Sequence, residues 1–164
     1  MYCKKCDREM QETRGSHQYR ECGLDNVFLN NIPVYKCTTC GKVVPIITHI
    51  DDLHRLIADN LATRKEVLSG KELRFIRKMM GMKAIELAEV LGASKQSISQ
   101  WENDKGPISV ANDRLIKGLY RFPNLLKSLR VLTTTPTERQ EFNLDFPTFL
   151  ASIKMREQEG EVCH

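Results

Sequence analysis

Two Cys-x2-Cys pairs set the tightest limit on how this chain folds. Cys3 and Cys6 open the sequence, and Cys37 and Cys40 follow after 30 intervening residues. Each pair can wrap an ion in a knuckle turn, and Gly41 behind the second pair suits that turn. Two such pairs are the ligand spacing of a tetrahedral four-cysteine zinc site, in which four thiolates leave no open position. One structural Zn2+ is therefore expected on Cys3, Cys6, Cys37 and Cys40. Disulfides would need an oxidising compartment, and the stretch MYCKKCDREM has no apolar signal region. A redox pair would need one Cys-x-x-Cys at a helix N-terminus in a βαβ unit, and neither pair has that setting. Cys22 and Cys163 read as spare thiols, and His17, His49 and His54 as surface histidines.

The segment between the pairs must hold structure of its own. Tyr19, Val27, Leu29, Val34 and Tyr35 suggest short strands near Gln18–Cys22, Val27–Asn31 and Val34–Lys36. A domain this small buries little core, so the metal should supply much of its folding free energy. From Asp51 the pattern turns helical. Leu53, Leu56, Ile57, Asn60 and Leu61 make one stripe, with Asp51 and Asp52 at the helix N-terminus. The expected first domain is therefore 1–66, with its helix over 51–66.

A second domain is expected over 67–132. Ser69 and Glu72 form a capping box that starts a helix with Leu73, Ile76, Met79 and Met80 inward. Lys71, Arg74, Arg77 and Lys78 are placed outside. The stretch GMKAIELAEVLGASKQSISQWENDKG, residues 81–106, then reads as two short helices and a tight turn. Leu87, Ala88 and Leu91 give the first an apolar face. Gly92 sits where positive φ is needed, and Ser94 caps the next helix. Ile98 and Trp101 anchor the second helix, which leaves Lys95, Gln96, Ser97, Ser99, Gln100 and Asn103 as candidate DNA contacts. A helix with an apolar anchor and an amide-rich outer face suits base reading in a major groove. Ser109 caps a helix bearing Leu115, Ile116, Leu119 and Tyr120. Phe122-Pro123 stops it, and Leu125, Leu126, Leu129 and Leu132 follow. The domain thus reads as an all-α five-helix bundle.

Charge agrees. The formal net charge is +4, but Ser69–Leu132 carries 12 Lys/Arg against 6 Asp/Glu. That basic excess suits phosphate contact. The extension, 133–164, begins with Thr133-Thr-Thr-Pro136 and carries Phe142, Leu144, Phe146, Phe149, Leu150 and Ile153 among acidic residues. It reads as a helical tail that docks. The fold class is thus α+β: a four-cysteine ribbon with short strands and a helix, then the bundle and its tail. No apolar run approaches the ~20 residues of a membrane span, so a cytoplasmic protein with no membrane partner is expected. No nucleophile–base pair, catalytic carboxylate pair or phosphate-binding loop is evident, so no enzyme activity is expected.

The helix-turn-helix, with Ile98-Ser-Gln-Trp-Glu102, resembles the Cro/C1-type (XRE-like) motif. The combination is more specific. Cys-x2-Cys, Cys-x2-Cys-Gly, a short helix and a helix-turn-helix resemble the MqsA-type (YgiT-like) antitoxins over Met1 to Leu132. Ile32-Pro-Val-Tyr-Lys-Cys37-Thr-Thr-Cys40-Gly41 is similar to that family's second knuckle. The closing helices, with Leu-Ile-Lys and Phe-Pro-Asn-Leu-Leu, are similar to its last two. The resemblance implies zinc on the four cysteines, a homodimer through the C-terminal domain, and a palindromic double-stranded DNA operator. It also implies a repressor whose N-terminal domain binds a toxin, often an mRNA-cleaving one. Three positions depart from the pattern: Asp7 in place of Gly, Ala84 in place of Gln, and Gln100 where arginine is common. The alternative reading is a helix-turn-helix regulator without a toxin, whose ribbon senses metal or binds another protein.

Overall fold

Three antiparallel strands and six helices follow one another in sequence: β1 (Gln11–Gln18), β2 (Phe28–Lys36), β3 (Val43–Pro45), α1 (Ile50–Thr63), α2 (Gly70–Met79), α3 (Ala84–Leu91), α4 (Lys95–Glu102), α5 (Val110–Arg121) and α6 (Pro123–Leu132). This computed structural model describes residues 1–132 together with Pro147. The expected helical tail and Cys163 lie outside the described residues. The mixed α+β class holds, with the strands beside the thiols and five helices after residue 69.

The sheet runs in the order β1-β2-β3. β1 pairs with β2 from Gln11↔Lys36 to Gln18↔Phe28, with a bulge between Gly15 and His17. Two strand expectations need correction. Gln18–Cys22 is not a strand: β1 ends at Gln18, and Tyr19 turns inward to 4% exposure. Val27–Asn31 and Val34–Lys36 are not separate either, but one strand running through Pro33. Proline lacks an amide donor, yet its carbonyl accepts from the Ile46 amide at 2.9 Å, and the Arg14 guanidinium grips the Asn31 carbonyl at 2.9 Å. The strand therefore continues past the proline, with Asn31 at φ 56°.

Two cores result. Cys3, Met10 and Cys37 form a small one, with Tyr35 and Val44 against it. Leu61, Leu68, Leu73, Phe75, Ile76, Leu87, Ile98 and Ile116 lead the large one. The loop 19–27 reaches from the first to the second and inserts Leu24, 1% exposed, among the helices. Around that plug the Tyr19 hydroxyl meets His54 Nε2 at 2.9 Å, and His54 stands edge-on to Phe75. His54 is thus a half-buried joint residue rather than a surface histidine. The Asn26 amide donates to Glu72 at 2.9 Å, and Lys71 pairs with Asp25. Burial disfavours the Glu72 carboxylate, but the Ser69 amide, Asn26 and Arg64 outweigh it and hold the acid below its ordinary range. It therefore stays ionised and paired at neutral pH.

α1 buries Ala58, Leu61 and Ala62, the small alanines permitting close approach to α2 and α5. The predicted stripe is rotated as a consequence. Leu53 and Ile57 are half-buried, and Leu56 is 67% exposed.

α2 and the end of α4 approach closely at Gly70. The Gly70 amide donates to Asp104 Oδ1 at 2.7 Å. A Cβ on Gly70 would stand 2.3 Å from the Trp101 carbonyl oxygen. Gly70→Ala must therefore push α2 off α4. Overpacking of this kind costs ~1–3 kcal/mol, read as a lower urea midpoint at unchanged slope.

Candidate metal centre and nucleic-acid interface

Four sulfurs converge at the end of the sheet. Cys3, Cys6, Cys37 and Cys40 place their Sγ atoms within 4.8 Å of one another. The closest are Cys6 with Cys37 at 3.3 Å and Cys3 with Cys40 at 3.5 Å. Sulfurs bonded to each other would stand ~2.05 Å apart, so these are free thiols. A tetrahedral ion with ~2.3 Å metal–sulfur bonds needs sulfurs ~3.8 Å apart, a spacing within the observed range.

The knuckles build this cage from the backbone. The Asp7 amide returns to the Cys3 carbonyl at 2.9 Å, and the Gly41 amide to the Cys37 carbonyl at 3.0 Å. Both turns require positive φ: Gly41 lies at 70°, and Asp7 takes the matching place at 49°. Aspartate tolerates this region better than most residues, which is how the departure from glycine is accommodated. Backbone amides pointing at sulfur also set the protonation. The Cys40 amide brings the Cys37 thiol down to about 6. The Lys5 amide lowers that of Cys3. Cys6, hydrogen-bonded to Cys37, is pushed up to about 12. An ion held by all four sulfurs would displace the thiol protons that remain. Cys22 stays apart, its thiol donating to the Tyr19 carbonyl at 3.1 Å.

The second candidate surface is built by α3 and α4. Gly92 ends α3 at φ 62°, and the Ala93 amide closes on the Ala88 carbonyl at 2.9 Å. Ser94 Oγ then accepts from the Ser97 amide at 3.0 Å and starts α4. Ile98 is fully buried beneath, with Trp101 half-buried one turn on. Lys95, Gln96, Ser99 and Gln100 come together on one short helix. Ser97 and Asn103 stand beside them but spend their polar atoms on the fold. The Ser97 hydroxyl meets Ser94 Oγ at 2.8 Å; Asn103 donates to the Ser99 carbonyl at 2.7 Å and accepts from Arg74 at 3.0 Å.

An ion network that the sequence does not disclose fixes the far end of α4. Glu102, 6% exposed, pairs with Arg77 and, at 3.1 Å, with Arg74. Arg77 also donates to the Met82 carbonyl at 2.7 Å. Helical spacing places Arg77 outside, yet its side chain is only 12% exposed. A buried carboxylate on α4 demands cations from the neighbouring helix, and α2 supplies two. The signal in the sequence is Trp101-Glu102, an acid beside an apolar anchor, but nothing in it names the partner.

Among the described residues, no helix is long and apolar enough to cross a membrane. Compared with known families, the chain matches over residues 1–130 the one described as the antitoxin component of a bacterial toxin-antitoxin system, MqsA. No curated protein matches it.

Proposed function

We infer that this chain, which belongs to the MqsA family of bacterial antitoxins, is a cytoplasmic, non-enzymatic repressor that reads operator DNA with α4 and holds a toxin with its N-terminal part. The observation that carries this reading is that one family match spans both the thiol cage and the helix-turn-helix. Zinc is the ion that suits four thiolates in a closed tetrahedral cage, with a role in folding rather than catalysis. The domain boundaries that go with this reading are 1–66 for the ribbon and α1, 67–132 for the reading domain, and 133–164 for the extension. Dimerisation through the C-terminal domain would present two copies of α4 to a palindrome, one to each half-site.

Toxin binding draws support from an exposed apolar surface among the described residues. Phe28 and Leu56 are 61% and 67% exposed and flank a groove of about 340 Å3 shared with Leu29, Leu53 and Ile57. Exposed apolar patches of this kind mark protein contact sites.

The DNA reading has a direct test. Glutamine can pair with adenine through both its amide groups, so Gln96→Ala or Gln100→Ala should each cost ~1–3 kcal/mol in affinity for the operon's own promoter and relax specificity at one base. Lys95→Gln should weaken binding to all sequences and reduce the salt slope by about 1. Unchanged promoter affinity in both glutamine variants would remove α4 as the reading element.

A further inference from the structure

The tip of the ribbon carries a surface that neither the thiol cage nor the helix-turn-helix explains. A cleft of about 230 Å3 opens beside the knuckles. Met1, Tyr2, Met10 and Val44 wall it, and Lys4 and Lys42, one from each knuckle, stand at its sides. No acidic residue lines it. Among the described residues neither lysine is in an ion pair. Tyr2 is 64% exposed, on backbone held to the ribbon by its bridge with Glu9.

Four thiolates around a divalent ion carry a net charge of about −2, which draws cations to the rim of such a centre. That accounts for lysines near the cage. It does not account for Tyr2 and Met1, 64% and 53% exposed, lining the same cleft as the two lysines. An exposed aromatic platform flanked by unpaired cations is the arrangement that stacks an unpaired base and holds its phosphates.

We propose that this cleft binds single-stranded nucleic acid, with one base stacked on Tyr2 and the flanking phosphates on Lys4 and Lys42. The site is independent of operator reading by α4, since duplex DNA offers no free base face to Tyr2.

Fluorescence anisotropy with labelled oligouridylate and oligothymidylate tests it on the metal-loaded full chain carrying Gln96→Ala and Gln100→Ala. Tyr2→Ala should weaken binding by about tenfold or more, and Tyr2→Phe should retain it. Lys4→Gln with Lys42→Gln should lower the salt slope by about 1.4, ~0.7 for each phosphate released. Metal content, measured on the same samples, should not change. Failure of the unsubstituted tip to bind either oligonucleotide at about 50 mM salt overturns the proposal. So does binding that survives Tyr2→Ala, or a lysine pair whose replacement releases metal while the loaded fraction still binds. An acidic apolar peptide that takes the cleft in preference to both oligonucleotides would overturn it too, and assign the cleft to a protein partner.

Discussion

Stripping the metal with a strong chelator should melt the ribbon, residues 1 to about 48, and leave α1–α6 folded but weakened. The ribbon has little else to hold it. Its own cluster is Cys3, Met10 and Cys37, two of which belong to the four-sulfur cage, and Val34 and Tyr19 add only two more buried side chains. β1, Gln-Glu-Thr-Arg-Gly-Ser-His-Gln, contributes no apolar side chain. Binding at structural thiolate centres supplies ~10–16 kcal/mol, more than the whole ~5–15 kcal/mol net stability of most domains leaves to spare. The helices keep Leu73, Ile76, Leu87, Ile98 and Ile116 around a core of their own. They do not escape unharmed, because Leu24 plugs that core from the ribbon side and Asn26 satisfies Glu72. Losing the plug resembles truncating one buried leucine, ~2–5 kcal/mol. Amide exchange during a chelator titration should show protection lost across β1–β3 and lowered, not abolished, in α2–α5. Collapse of the whole helical signal would mean that the helices cannot stand without the ribbon. An unchanged helical midpoint would mean that Leu24 and Asn26 carry no weight.

What the sequence discloses and what it hides follow one physical line. Spacing in the chain is visible: two Cys-x2-Cys pairs announce one cage, and Gly92 followed by Ser94 announces a turn and a cap. These are local requirements met by residues a few positions apart. β1 is hidden because its strand character comes from pairing with β2, not from any alternation in Gln11–Gln18. The strand through Pro33 reads as two because proline usually ends one, and only the Arg14 grip and the Ile46 contact show why it does not. The rotated face of α1 has the same cause, since the spacing of Leu53, Leu56 and Ile57 cannot tell which neighbour the helix will meet. Charged residues are the least legible. Arg77, Glu102, Asp113 and Lys117 look like solvated surface in sequence. Each is nearly or fully buried because groups on other elements compensate it.

Asp113→Ala should cost ~3–5 kcal/mol, as much as truncating a fully buried core side chain. Asp113 and Lys117 are one turn apart on α5, with side chains 3% and 9% exposed and a 2.9 Å contact between them. Together they strap the connection 64–68 that links α1 to α2. One Asp113 oxygen accepts the Leu68 amide at 2.9 Å. Lys117 donates to the Glu66 carbonyl at 2.6 Å and the Arg64 carbonyl at 3.2 Å. Removing the carboxylate leaves a buried ammonium without a counter-charge and an amide without an acceptor. Desolvation of both is then uncompensated, which is why the loss exceeds that of a surface pair. Asp113→Leu with Lys117→Met removes both charges, so it should be less damaging than Asp113→Ala and leave only the three backbone groups to find water. Urea unfolding of the four corners of that cycle gives the coupling directly; additive losses would show that the pair does not act as a unit. The consequence reaches α4. Gly70, two residues beyond the strapped segment, holds Asp104 at the end of that helix. Loosening the strap frees the α2 start against which α4 is seated, so promoter affinity should fall in Asp113→Ala under conditions where the protein is still folded, and recover in part in the double variant.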